Sequence, residues 1–213
     1  MSTPFARAAR VWRRFQAHGL RVTLRGVMRR YGIRVADFHW VRERLPGEIP
    51  THLTTLPDGL TFCLLDAEDI SAITAFDAPQ DEVDGDRLRQ AFARGDVCVG
   101  IRRAGEILAC SLCSLDETRN AMHPVAMKPN EAYLWMMYVR PGYRGQNLAV
   151  ILRHRCYEML RAVGRDTCYS ITLTRNHASA RFKQKLGAEK LFRAVYLRVG
   201  RREGRWIVRR FSA

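Results

Sequence analysis

Acidic residues are absent from the first 36 positions of this 213-residue chain, where nine arginines stand (Arg7, Arg10, Arg13, Arg14, Arg21, Arg25, Arg29, Arg30 and Arg34). That stretch carries +9 of the formal +15 left by 36 Lys+Arg against 21 Asp+Glu. Such a charge draws acidic partners: nucleic acid, anionic lipid, an acidic protein or a phosphorylated ligand. The excess sits in an arm rather than over a folded face, and no nucleic-acid-binding motif accompanies it, so nucleic acid is the disfavoured partner. No run of 18 apolar residues exists, and nothing reads as a membrane-spanning helix. Arginines interrupt every apolar stretch near the N-terminus, so no secretory signal is expected. The six cysteines are then expected as reduced, packed thiols. Cys110 and Cys113 form a CxxC with no second pair, in "EILACSLCSL", which reads as a strand. Residues three apart on a strand point to opposite faces, so no metal is expected there.

What the arm does contain is a stripe. Phe5, Ala9, Trp12, Phe15, Leu20, Leu24, Val27, Met28 and Tyr31 recur at spacings of three to five, the pattern of a basic amphipathic helix. Gly19 and Gly26 interrupt it and allow two shorter helices. Three uses stay open: lying on an anionic membrane surface, docking an acidic protein, or packing on the body of the same chain. An organellar transit peptide shares this composition.

Residues 37–58 read as an extended piece, "FHWVRERL", followed by a linker with Pro46, Pro50 and Pro57. The domain proper is expected over 59–213. "GLTFCLL" reads as a strand, "DAEDISAITAF" and "DGDRLRQAFARG" as helices, and "DVCVGIRR" with "ILACSLCSL" as a hairpin around "AGE". After a polar loop at 116–130, "EAYLWMMYV" is apolar enough to be buried on both faces. A helix with the stripe Leu148, Ile151, Leu152, Cys156, Met159, Leu160 and Val163 follows. Then come the strand "TCYSITLT", a short helix in "NHASARFKQKLG", and the strands "KLFRAVYLRVG" and "GRWIVRRF". The order predicts an α/β (α+β) domain.

Between the apolar strand and the striped helix lies "YVRPGYRGQNLA", Tyr138 to Ala149. A strand, a glycine-bearing turn and a helix start make an anion site, because free N–H groups converge there and the helix dipole favours negative charge. Arg144 adds a donor fork suited to phosphate. No Lys-Ser/Thr pair marks a Walker loop, and GxGxxG is absent. The core Arg144-Gly145-Gln146-Asn147-Leu148-Ala149 resembles the Arg/Gln-x-x-Gly-x-Gly/Ala signature of the GCN5-related N-acetyltransferase (GNAT) superfamily. Asn147 stands where that signature has its first glycine, and asparagine tolerates left-handed backbone angles better than most residues. "NHASARFKQKLGA", Asn176 to Ala188, resembles the family's second feature, and the strand order over 60–213 agrees.

The resemblance implies a GNAT-like mixed, mostly antiparallel sheet flanked by helices, and acetyl-CoA or another acyl-CoA as co-substrate, without a metal. It implies that the amides of Arg144, Gly145, Gln146, Asn147, Leu148 and Ala149 cradle the pyrophosphate. The backbone at Tyr138 and Val139 would pair with the pantetheine arm, which Asn176 would hydrogen-bond, and Lys183 or Lys185 would add charge near the CoA phosphates. In the family an amine attacks the thioester directly, with a tyrosine four residues before the helix-ending glycine as general acid. Counting back from Gly187, that position holds Lys183. Lys183, Tyr143, Tyr169 or water are the candidate acids; Glu131, Glu117, Asp116 and His123 are the candidate bases, with Glu131 preferred because its strand runs toward the thioester.

The implied activity is N-acyl transfer to a small-molecule or peptide amine acceptor. A catalytically inactive CoA-binding or scaffolding module and a carrier-protein-dependent acyltransferase are the alternatives. The expected location is cytoplasmic or at the inner face of a membrane, and a homodimer is left open. The arm yields the first test. If residues 1–36 attach to membranes, the full chain floats with anionic liposomes and a chain lacking them does not; equal flotation defeats that reading.

Overall fold

The computed structural model describes residues 31–46, 50, 52, 54–76, 84–118, 122–200 and 202–211. The amphipathic helix expected before Tyr31 lies outside them. Eight strands form one sheet: β1 (Ile33–Arg44), β2 (Leu60–Leu65), β3 (Val97–Arg103), β4 (Glu106–Ser114), β5 (Glu131–Val139), β6 (Thr167–Leu173), β7 (Glu189–Val199) and β8 (Arg202–Arg210). Four helices accompany them among the described residues: α1 (Ile70–Thr74), α2 (Gly85–Ala93), α3 (Leu148–Ala162) and α4 (His177–Lys185). The spatial order is β2-β3-β4-β5-β6-β1-β7-β8. Every neighbouring pair is antiparallel except β5 and β6. The expected class, a mostly antiparallel mixed sheet flanked by helices, is the one observed.

One boundary differs from expectation. The sheet begins at Ile33, inside the stretch assigned to the arm, and the supposed extended piece is the heart of β1. That strand pairs with β6 from Phe38↔Leu173 to Arg44↔Thr167 and with β7 from Ile33↔Val199 to Arg42↔Glu189. Both edges of β1 are therefore hydrogen-bonded, and Phe38 and Trp40 are buried. Residues 33–44 belong to the domain because their backbone donors and acceptors find partners only in strands far along the chain.

Local chemistry explains the other elements. Asp66 accepts from the Glu68 N–H (2.8 Å) and Asp69 returns a contact to the Asp66 N–H, a capping box that starts the short turn before α1. Asp84 caps α2 by accepting from Asp86 N–H (3.0 Å). The β3–β4 hairpin turns at Ala104 and Gly105, both with positive φ (47° and 83°), the geometry that two-residue turns between twisted strands require. Val163, expected in the apolar stripe of α3, is 56% exposed because the helix has already ended there.

The apolar residues divide by sheet face. On the back face α3 packs Leu148, Leu152, Cys156, Tyr157 and Leu160 against Ala109, Cys113, Ala132, Leu134 and Cys168. On the front, Ile70, Ile73, Phe76 and Leu88 cover Cys98, Ile107, Cys110, Leu112 and Met136. Cys110 and Cys113 thus belong to opposite faces, as strand geometry predicts. A third cluster, Phe38, Trp40, Tyr133, Phe192, Ala194 and Tyr196, shares Trp135 with the front cluster. Trp40 stacks near Tyr133, Tyr169 and Phe192, at ring separations of 5.8, 5.4 and 6.3 Å.

Gly100 in β3 marks the tightest packing. A β-carbon there would lie 2.7 Å from Leu65 Cδ1 and 2.9 Å from its Cγ. Gly100→Ala should therefore lower stability by about 1–3 kcal/mol in denaturant titration. Leu65→Ala in the same chain should recover part of the loss; simple additivity of the two costs would contradict this account.

Candidate functional site

The site begins where two strands part. β5 and β6 pair in parallel only at Glu131↔Thr167, Ala132↔Cys168 and Tyr133↔Tyr169. Beyond Tyr133, β5 keeps β4 as a neighbour while β6 keeps β1, so a wedge opens between them. A bulge helps to open it. The β4–β5 register jumps from Cys113↔Leu134 to Leu112↔Met136, leaving Trp135 as the extra residue. Bulges bend a strand and increase its twist. Trp135 is held in place by its indole N–H, which donates to Asp96 Oδ2 (3.0 Å), and by Arg87, whose guanidinium lies 4.5 Å from the ring centre.

At the far end of β5 the chain makes a short 3-10 turn, Pro141–Tyr143, and enters α3. Gly145 has φ +85°, and a β-carbon there would meet nothing within 4 Å. Asn147 has φ 57° and ψ 8°, so its place in the signature is a left-handed one that asparagine fills where the pattern has glycine. Its carbonyl accepts from Val150 N–H and Ile151 N–H and starts the helix. Among the described residues, no acceptor takes the N–H groups of Gly145, Gln146, Asn147, Leu148 or Ala149. Five uncommitted amides at the head of a four-turn helix form a cradle for an anion. The N–H of Arg144, expected among them, instead donates to Pro141 O (3.2 Å). Its side chain returns to β5, with Nε donating to Val139 O (3.0 Å) and the guanidinium 5.7 Å from the Tyr138 ring centre. The two terminal nitrogens remain exposed at the loop. Tyr138 is buried on the Phe76 ring, so only its backbone faces the expected role.

Asn176 caps α4: its Oδ1 accepts from Ser179 N–H (3.0 Å), which leaves its amide nitrogen for another partner. Lys183 is the one buried residue of α4. Its ammonium donates to Thr172 Oγ1 (2.6 Å) and to Ile171 O (3.2 Å), on the length of β6 that has left β5. It is therefore not a surface charge for the CoA phosphates; exposed Lys185 alone keeps that reading. Burial pulls the Lys183 ammonium down to about 8, against the carboxylate of Glu43, which raises it, and the guanidinium of Arg153, which lowers it.

Around Lys183 lies a buried polar cluster. Glu43 of β1 accepts from Tyr157 Oη (2.6 Å) on α3 and from Ser170 Oγ (2.8 Å) on β6, and its Oε2 is 3.7 Å from Arg153 Nε. Burial opposes the charge of the Glu43 carboxylate, yet Arg153, Lys183 and the two hydroxyls hold its proton affinity below the usual range.

Glu131, the expected base, sits at the paired end of β5 on the other face of the sheet. Its Oε2 accepts from Lys128 N–H (3.0 Å) and its Oε1 from Tyr169 Oη (3.2 Å). Tyr169 and Thr172 are three residues apart on β6, so Glu131 and Lys183 approach the wedge from opposite sides. The loop carrying the other proposed bases folds on itself. Thr118 Oγ1 donates to His123 O, and Arg165 ties the loop's ends by donating to the carbonyls of Leu115, Lys128 and Glu131. His123 packs edge-on against Trp40 and contacts Arg205; burial and that guanidinium push it down to about 4, which makes it a weak base. Asp116 and Glu117 are exposed at the loop's start.

The sequence profile of the acetyltransferase (GNAT) family matches residues 65–188, more than half of the chain. The chain belongs to the GNAT acetyltransferase family. Solved structures agree in fold. A Drosophila protein superposes with a TM-score of 0.58 at 19% identity, over 84% of this chain and 56% of its own. A putative GNAT acetyltransferase from Novosphingobium aromaticivorans gives 0.52 at 20%, over 76% and 63%. A tandem GNAT protein from the clavulanic acid biosynthesis pathway gives 0.57 at 15%, over 85% and 56%. This chain thus spans between 56% and 63% of the length of those structures. Comparison with curated proteins returned no match.

Within this GNAT fold, β1 lies outside the matched residues yet supplies Glu43. Sequence reading passed over Glu43, Arg153 and Tyr157. The available signal was the pair Arg153 and Tyr157, four apart and beside the apolar stripe, where a helix packed on a sheet buries both.

The left-handed Asn147 makes a direct prediction. Asn147→Gly should leave stability and CoA affinity within about 1 kcal/mol of the parent. Asn147→Val should weaken both, since a β-branched residue resists that conformation. Calorimetric titration with CoA beside thermal melts would check it, and equal behaviour of the two variants would refute it.

Proposed function

We propose that this protein transfers an acyl group from acyl-CoA to the amine of a second substrate by direct attack on the thioester. The observation that carries the reading is the row of five uncommitted amides, Gly145 to Ala149, at the end of the strand that has just parted from β6. A pyrophosphate suits that cradle, and the terminal nitrogens of Arg144 suit its oxygens. The wedge between β5 and β6 gives an extended thiol-bearing arm a lane with strand backbone on both sides. The amide nitrogen of Asn176 supports a contact to that arm.

The thioester supplies an activated carbonyl carbon. Transfer forms a C–N bond and breaks a C–S bond, so one proton must leave the amine and one must reach the thiolate. Glu131 takes the first, directly or through water: a carboxylate accepting from Lys128 N–H and Tyr169 still has lone pairs to offer. Lys183 gives the second. An ammonium titrating near 8 matches a thiolate in proton affinity, which is where a general acid is most effective. It stands four residues before Gly187, where the family has a tyrosine, and its third N–H is not engaged by Thr172 or Ile171.

The acceptor side is the front face, where half-buried Tyr169 beside Glu131 and half-buried Trp135 further along β5 provide an aromatic floor. Such a floor favours an amine attached to an apolar or aromatic body.

A titration of the folded protein with CoA and acetyl-CoA, followed by a thiol-release screen over diverse amines and acyl lengths, tests the reading. Saturable binding and turnover are expected, and no binding at millimolar ligand overturns it. With an active pair, Lys183→Met should lower kcat by about 10²-fold while leaving CoA affinity near its parent value. The parent kcat/KM should fall as pH rises through about 8, as the ammonium is lost, and the variant should lack that limb.

A further inference from the structure

We propose that Glu43, delivered by the N-terminal strand β1, is a positioning residue that keeps Lys183 in its charged, proton-donating form. The inference rests on the acyl-transfer reading above and extends its machinery to a strand outside the matched family region.

The geometry is a closed polar cluster between the back of the sheet and helices α3 and α4. Ser170 and Thr172 are alternate residues of β6, so their side chains share one face about 7 Å apart. Ser170 Oγ donates to Glu43 Oε1 at 2.8 Å, and Thr172 Oγ1 accepts from Lys183 Nζ at 2.6 Å. The carboxylate and the ammonium are thus held on neighbouring steps of one strand, with water excluded from both. From α3, Arg153 and Tyr157 face the same space; Tyr157 donates to Glu43 at 2.6 Å. From β1, His39 pairs with Thr172 in register, its ring beside Phe211. Cys156 and Cys168 close the space as thiols beside Arg153.

The charges in that space do not balance. Two cations, Arg153 and Lys183, share one carboxylate, and Arg153 Nε and Nη1 are buried without a hydrogen-bond partner. Arg153 Nε stands 3.7 Å from Glu43 Oε2, an ion pair without a hydrogen bond. Arginine stays protonated even here, so the group that yields in an unbalanced cluster is the lysine. Burial and Arg153 push Lys183 toward the neutral amine; Glu43 opposes both. A lysine that lost its proton in the resting protein would have none to hand to a leaving thiolate.

The test reads the Lys183 ionisation directly, by side-chain NMR of the full chain with its lysine nitrogens and ε-carbons labelled, the Lys183 signal being the one lost in Lys183→Met. Glu43→Gln should move the Lys183 titration down by about 1–3 pH units, and Arg153→Gln should move it up. Ser170→Ala, which removes a hydrogen bond to Glu43 but no charge, should leave it within about half a unit. The alkaline limb of kcat/KM, measured with an active donor–acceptor pair, should follow the same signs. If Glu43→Gln does not fold, Glu43→Asp, which keeps the charge but draws it back from the cluster, takes its place and should move the titration down by a smaller amount. The absence of a downward shift in the Glu43 variant, or shifts of the same sign in both charge variants, overturns the proposal. Shifts of the expected signs with no thiol release from any amine uphold the link between Glu43 and Lys183 and overturn acyl transfer instead.

Discussion

Two parallel strands that stop pairing after three residue pairs determine where everything else in this molecule can be. Parallel strands in a continuous sheet would leave no room between them, and the backbone donors on their facing edges would be spent on each other. Here β6 turns to β1 and β5 turns to β4, so the inner edges beyond Tyr133 and Tyr169 are released together. The bulge at Trp135 is the local device, and its anchoring by Asp96 and Arg87 makes the bend a fixed feature. The same parting brings the end of β5 to the head of α3 and the free stretch of β6 to the buried face of α4. The anion cradle and the lysine therefore flank one wedge from two directions.

Burying Lys183 has a cost, and the polar cluster shows how it is contained. An ionisable amine inside a protein either loses its charge or finds an opposite one. Tyr157 and Ser170 satisfy the carboxylate of Glu43, which then faces two cations. Removing one member of a buried ionic set typically destabilises by about 3–5 kcal/mol, because the remaining charge is left uncompensated. A core with this arrangement is unlike the apolar packing on the front face, where Ile73, Leu88 and Leu112 fill space without any polar demand.

The elements from β2 onward were legible because their signals are local. A capping aspartate, a glycine stop or an alternating run can be read within ten residues, and "EAYLWMMYV" coincides with β5 from Glu131 to Val139. The glycine-bearing turn into α3 was legible for the same reason, and asparagine's tolerance for left-handed angles is used at Asn147. The first strand was legible only in part, as the extended piece "FHWVRERL". Its partners lie far along the chain, and Arg34 continues the arginine series before it, so composition assigned 33–36 to the arm where pairing makes a sheet. Lys183 was half legible. Counting from Gly187 located it, but the sequence holds no sign that its ammonium points inward, since Glu43, Arg153 and Thr172 come together only in the tertiary structure. The same limit applied to Glu131 and Lys183: both were named, and only strand geometry places them on opposite faces.

The position of β1 has a temporal side. This strand leaves the ribosome long before the two strands that flank it, β6 and β7. Until they arrive, a twelve-residue segment bearing Phe38 and Trp40 has neither edge occupied, a state that invites pairing with the wrong chain. Its eventual insertion closes long loops in the chain, which slows folding for topological reasons. The wedge, the cradle and the buried lysine consequently mature together and late: β6 gains its alternative neighbour only when β1 slides into place, and Glu43 arrives with it.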